Sequence, residues 1–84
     1  MDIEDLPKKI QPLIEAIIDQ NLIEDYRISK EMRDIKIVFI MEDSGEAINL
    51  TEHLEVISTF GMDTIFHYEG DFAYLRLTYF PWAQ

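Results

Sequence analysis

From Ile3 onward the apolar positions Leu6, Ile10, Leu13, Ile14, Ile17 and Ile18 recur at intervals of three and four, the spacing that gathers side chains on one stripe of a helix. Pro7 suits a first helical turn, whereas Pro12 lacks the amide that a carbonyl of the preceding turn would need. A break near Pro12 and a main helix from about Gln11 to Asn21 are therefore expected. Between Tyr26 and Met41 the period changes to two, with β-branched and aromatic residues, and Met32-Arg33-Asp34 interrupts it as a hairpin turn would. A loop of two or four residues there places Tyr26, Ile28, Lys30, Ile35, Ile37, Phe39 and Met41 on one face. Arg27, Ser29, Lys36, Val38 and Ile40 then share the other.

Glu42-Asp43-Ser44-Gly45-Glu46 has the composition of a loop, and Asn49 with Glu52 three residues later has the form of a capping box opening a second helix. Leu50, Leu54, Ile57 and Phe60 form its expected apolar stripe, and Gly61 is placed to end it in the left-handed conformation. A second hairpin follows around Glu69-Gly70-Asp71. An even-length loop aligns Phe66 and Tyr68 with Ala73, Leu75, Leu77 and Tyr79, leaving Ile65, His67, Phe72, Tyr74, Arg76 and Thr78 on the reverse face. The expected fold is thus α+β: two αββ halves, without detectable repetition of residues, form a four-stranded antiparallel sheet with two helices packed on one face. The expected core is Leu13, Ile14, Ile17, Ile18, Ile37, Phe39, Leu54, Ile57, Phe66, Leu75 and Leu77.

Residues 1–84 are read as a single small domain, since a chain of this length buries only about 60–65% of its unfolded surface. There is no cysteine to supply a disulfide or a thiolate metal site, so apolar packing must carry the stability, and 48% hydrophobic residues make that feasible. The missing cysteines and an acidic start without an apolar leader lead to the expectation of a cytoplasmic protein. The longest apolar run, Ile37 to Met41, is far shorter than the roughly 18 residues of a membrane span.

Charge changes the picture most. The formal net charge is −10, which opposes direct binding to nucleic acid or anionic lipid and favours a partner with a basic surface. Residues 1–25 hold seven acids against Lys8 and Lys9, and residues 42–60 hold five acids and no base. Residues 26–41 reverse the sign with Arg27, Lys30, Arg33 and Lys36 against Glu31 and Asp34.

Catalytic chemistry finds little footing. His53 and His67 match no zinc spacing, and the loop of Glu42 to Glu46 lacks the alternating aspartates that gather oxygens around calcium. Ser29, Ser44 and Ser58 stand in no nucleophile motif, and adjacent acids such as Glu24-Asp25 are the ordinary result of seventeen acidic residues. No enzymatic activity, catalytic residue, metal or cofactor is expected.

Two interaction surfaces remain. Carboxylates on successive helical turns lie about 5–6 Å apart and can imitate a row of phosphates. The candidates are Glu15, Asp19, Glu42, Asp43, Glu46, Glu52 and Glu55. The expectation is an acidic, non-enzymatic protein-interaction domain. Its most specific form is an inhibitor that mimics nucleic acid toward a nucleic-acid-binding enzyme, of the phage or mobile-element anti-defence type. The competing expectation is a homodimeric or heteromeric adaptor or regulatory subunit. It would bind through the uncovered sheet face, with Val38, Ile40, Ile65, Phe72 and Tyr74, extended by the aromatic tail at Trp82. Trp82 would either fold back over the core or anchor a partner.

Overall fold

Pro7 and Pro12 set where the first helix can begin, and in the computed structural model, which describes residues 1–21, 23–42 and 50–83, it does begin between them. A short 3₁₀ turn, Ile3–Asp5, precedes α1 (Gln11–Gln20). Pro12 falls in the first turn of α1, where its missing amide has no carbonyl to serve. Strands β1 (Asp25–Glu31) and β2 (Asp34–Glu42) follow, then a 3₁₀ turn (Thr51–His53) running into α2 (Leu54–Thr59), then β3 (Asp63–Glu69) and β4 (Phe72–Tyr79). A last 3₁₀ turn, Pro81–Ala83, closes the described chain.

The four strands form one antiparallel sheet in the order β1-β2-β4-β3, so two hairpins meet along β2 and β4. Each hairpin turns through two residues, Met32-Arg33 and Gly70-Asp71, and the first of each pair has positive φ (56° at Met32, 62° at Gly70). Two-residue loops fix the register, which puts Ile28, Ile35, Ile37, Phe39, Met41, Ala73, Leu75, Leu77 and Tyr79 on the face toward the helices. All of these are buried, together with Leu6, Ile10, Leu13, Ile14 and Ile17 from the N-terminal segment and α1. Full burial of a side chain such as Phe39 or Leu75 contributes roughly 1.5–3 kcal/mol, and several of them make the sheet and α1 one unit.

The second helix differs from its expected form. Leu54 is 55% exposed, because the 3₁₀ turn before α2 rotates the inward stripe onto His53, Ile57 and Phe60. His53 is buried at 7% exposure, and its Nε2 lies 2.9 Å from Oε1 of Gln20, tying the end of α1 to the start of α2. Asn49, the expected cap, lies outside the described residues; Leu50 holds the N-cap position of the 3₁₀ turn without a side-chain hydrogen bond. The helix ends as its glycine predicts. Gly61 has φ of 62°, its amide donates to the Ser58 carbonyl and the Met62 amide to the Ile57 carbonyl, and Met62 and Ile57 are both buried.

Phe66 also departs from the expected core. It points to the helix side but is 39% exposed, since β3 is an edge strand whose seven residues are all exposed, beyond the part of the sheet that the helices cover. Ile18, at the margin of the α1 stripe, is half-buried against the core.

Candidate functional surfaces

The helix layer presents two carboxylate pairs. Glu15 and Asp19 are one turn apart on α1, Glu52 and Glu55 one turn apart across the 3₁₀ turn and α2, and all four are exposed. The Gln20–His53 bond fixes the two pairs on the same layer. Glu42 is exposed at the last position of β2, and Asp43 and Glu46 lie outside the described residues.

Strand pairing identifies further acids that spacing alone did not single out. Asp25 pairs with Ile40, and Glu69 with Phe72 beside Glu42, so Asp25, Glu42, Glu69 and the turn residue Asp71 collect at one end of the sheet. The sequence signal was present: from residue 37 to residue 75 there is no lysine or arginine. The bases gather elsewhere. Lys30 and Arg33 lie at the β1–β2 turn, Lys9 has its Nζ 5.6 Å from the Tyr79 ring centroid and 6.0 Å from that of Phe60, and Arg27, Lys36 and Arg76 lie on the sheet face away from the helices. Among the described residues the one ion pair is Lys36 with Glu31, at 2.9 Å, so none of Glu15, Asp19, Glu42, Glu52 and Glu55 is neutralised by a base.

The open sheet face carries the second set. Ile65 is 45% and Phe72 38% exposed, while Val38, Ile40 and Tyr74 are half-buried by their neighbours. The rings of His67 and Tyr74 stack at 5.0 Å and 11° on paired strands. Nε of Arg76 is buried without a hydrogen-bond partner among the described residues.

Trp82 does not enter the core. It is exposed at the turn end of the sheet, where its indole N–H donates to Oδ1 of Asp34 at 2.7 Å, the Arg33 guanidinium lies 5.2 Å from its ring, and Phe80 packs edge-on at 6.0 Å. Together with Pro7, Lys30, Ile35 and Pro81 it borders an open hollow of about 480 Å³. Both the tether to Asp34 and the Arg33 contact hold the tail to the first hairpin.

On the β1 edge, the Tyr26 hydroxyl donates to Oδ1 of Asp2 at 3.3 Å. Partial desolvation, followed by the charge and hydrogen bond of Asp2 and the charges of Asp25 and Glu4, holds the Tyr26 phenol above its ordinary pKa of 10.0.

Ser29 and His67 occupy opposite edge strands, and the buried His53 is engaged with Gln20 at the end of α1. Among the described residues no three metal-ligating side chains come together, and no helix is long and apolar enough to cross a membrane. Comparison with known proteins found no matching family, no matching curated protein and no matching solved structure.

Proposed function

We propose that this chain is a non-enzymatic binding domain that occupies a basic surface of another protein through the carboxylates of its helix layer, in competition with nucleic acid. The observation that carries this reading is the segregation of charge. Glu15, Asp19, Glu52 and Glu55 are exposed on a layer whose only bases, Lys8 and Lys9, precede α1, and Glu42, Glu69 and Asp71 extend the unneutralised surface around one end of the sheet. Acids scattered for solubility would be interspersed with bases. Here Arg27, Lys36 and Arg76 lie on the opposite face and Lys30 and Arg33 at the opposite end, leaving Lys8 and Lys9 beside the helices. Fixed carboxylates facing lysines and arginines attract at long range and discriminate against other acidic surfaces. The specific form of the proposal is an inhibitor of a nucleic-acid-binding enzyme that holds the enzyme's phosphate-binding groups, with no direct contact to nucleic acid and no membrane association of its own.

The experiment is capture of partners on the immobilised chain at low salt, followed by elution with duplex or single-stranded nucleic acid. A partner that leaves when nucleic acid is added, and that binds progressively less as salt rises, is the expected outcome. A partner that binds the chain and nucleic acid together would contradict the proposal.

A further inference from the structure

Register makes the open face a chart of charge. In the spatial order β1, β2, β4, β3, one row reads Asp25, Ile40, Tyr74, His67, and the row two residues along reads Arg27, Val38, Arg76, Ile65. Beyond the first lie Glu42, Phe72 and Glu69; beyond the second lie Ser29, Lys36, Thr78 and Asp63. Ile40, Tyr74 and Val38 share the centre with Arg76, and the other charges, of both signs, lie toward the margin. This is the composition of an interface with a polar rim rather than of a solvated sheet.

We propose that a second copy of this chain covers the open face, stacked about a two-fold axis that runs across the strands between the Ile40–Tyr74 row and the Val38–Arg76 row. That operation exchanges the two central rows. Asp25 of each copy then meets Arg27 of the other, Ile40 meets Val38, His67 meets Ile65, and Tyr74 meets Arg76. The next rows bring Glu42 opposite Lys36. The like-charged contact of Glu69 against Asp63 remains, twice by symmetry, and it falls on β3 at the exposed rim of the sheet.

Other two-fold arrangements are worse matched. An axis through the Val38–Arg76 row sets Arg27 and Arg76 each against its own copy, and an axis along the strands sets Glu42 against Phe72 and Arg27 against Ile65. Pairing of two β3 edges centred on Phe66 also opposes Asp63 to Glu69 twice, without the opposite-charge contacts of Asp25 with Arg27 and Glu42 with Lys36 that offset them in the stacked arrangement. The size of the face is adequate. Four strands about 4.8 Å apart and some eight residues long, at about 3.3 Å each, give a flat footprint near 500 Å² per copy, or about 1,000 Å² for the pair before side-chain relief is counted. Sheets stacked in this way cross at about 30°, which keeps the rows beside the axis in register and leaves the outer pairs to long side chains. The dimer turns both helix layers outward.

The test is sedimentation equilibrium on the full chain at about 0.15 M salt, where the repulsion between two acidic chains is screened beyond about 8 Å. Wild type is expected to be a dimer. Asp25→Arg and Arg27→Asp each break two symmetry-related pairs and are expected to weaken it by about tenfold or more, whereas the double exchange D25R/R27D restores opposite charges and is expected to recover it. Tyr74→Glu, or Ile65→Glu at a more exposed position, is expected to be monomeric with the circular dichroism spectrum retained. A wild-type monomer at millimolar concentration overturns the proposal, as does a dimer that survives both glutamate substitutions. A double exchange no better than the single reversals overturns the axis.

Discussion

Replacing Leu75 by alanine removes a fully buried side chain from β4, the strand joined on one side to Phe39 of β2 and on the other to Phe66 of β3. Lost transfer free energy and the cavity left between the sheet and α1 together cost about 2–5 kcal/mol, against a total stability of about 4–13 kcal/mol for a domain of this length. At about 4–8 °C per kcal/mol, a mid-range loss of about 3 kcal/mol lowers the melting temperature by about 12–24 °C. Leu54→Ala is the informative control, because the spacing of apolar residues ranks Leu54 with the core while the structure leaves it 55% exposed. Its expected effect is within about 0.5 kcal/mol, since leucine and alanine also have similar helix propensities. Both variants are compared with wild type by thermal melts and urea titration, with unchanged m-values certifying that the denatured state is not what moved. Equal losses in the two variants would show that α2 does pack through Leu54 and that the rotation of its stripe onto His53 is wrong.

The two hairpin turns should respond in opposite directions: Met32→Gly relieves a positive φ at a fully exposed residue and is expected to stabilise by about 0.5–1 kcal/mol, while Gly70→Ala, which meets no atom within 4 Å, is expected to destabilise by a similar amount. Thermal melts of the two variants decide this, and shifts of the same sign would contradict the turn geometry. Tyr26 is held in its neutral form by the fold, so its contribution is complete below pH 10 and is lost as pH rises through the higher folded value. The difference in ultraviolet titration between wild type and Tyr26→Phe should therefore have a midpoint above 10.0, and a midpoint at or below 10.0 would contradict the Asp2 contact.

Where one face of an element is buried and a turn fixes its register, the sequence pattern carried the answer. The alternation from Tyr26 to Met41, its continuation from Phe72 to Tyr79 and the two short turns were enough to assign the faces of residues 26–30 of β1, 35–41 of β2 and 72–79 of β4. Where burial depends on which neighbour reaches how far, it did not. The period of three and four around α2 cannot reveal a preceding 3₁₀ turn that shifts the stripe by one residue, and alternation in β3 cannot reveal that the helices stop short of this edge. The burial of His53 could not be read from the sequence because its partner Gln20 is 33 positions away. The contacts of the tail were hidden for a similar reason: aromatic composition says that Trp82 seeks contact, but only the fold brings Arg33 and Asp34 to it. The carboxylate surface was legible in part. Its helical pairs follow from spacing, whereas the addition of Asp25 and Glu69 beside Glu42 required the strand order β1-β2-β4-β3.

The central claim is that the unneutralised helix layer is the binding surface, and the most direct test is the affinity of a captured partner for a variant carrying Glu15→Lys, Glu52→Lys and Glu55→Lys. These side chains are exposed and outside any ion pair among the described residues, so folding should be nearly unchanged. Each close charge pair lost from a basic interface contributes about 1.5 kcal/mol or more of coupling, and three reversals are expected to raise Kd by at least three orders of magnitude while abolishing competition with nucleic acid. A triple variant that folds, binds the partner as tightly as wild type and still excludes nucleic acid would contradict the claim.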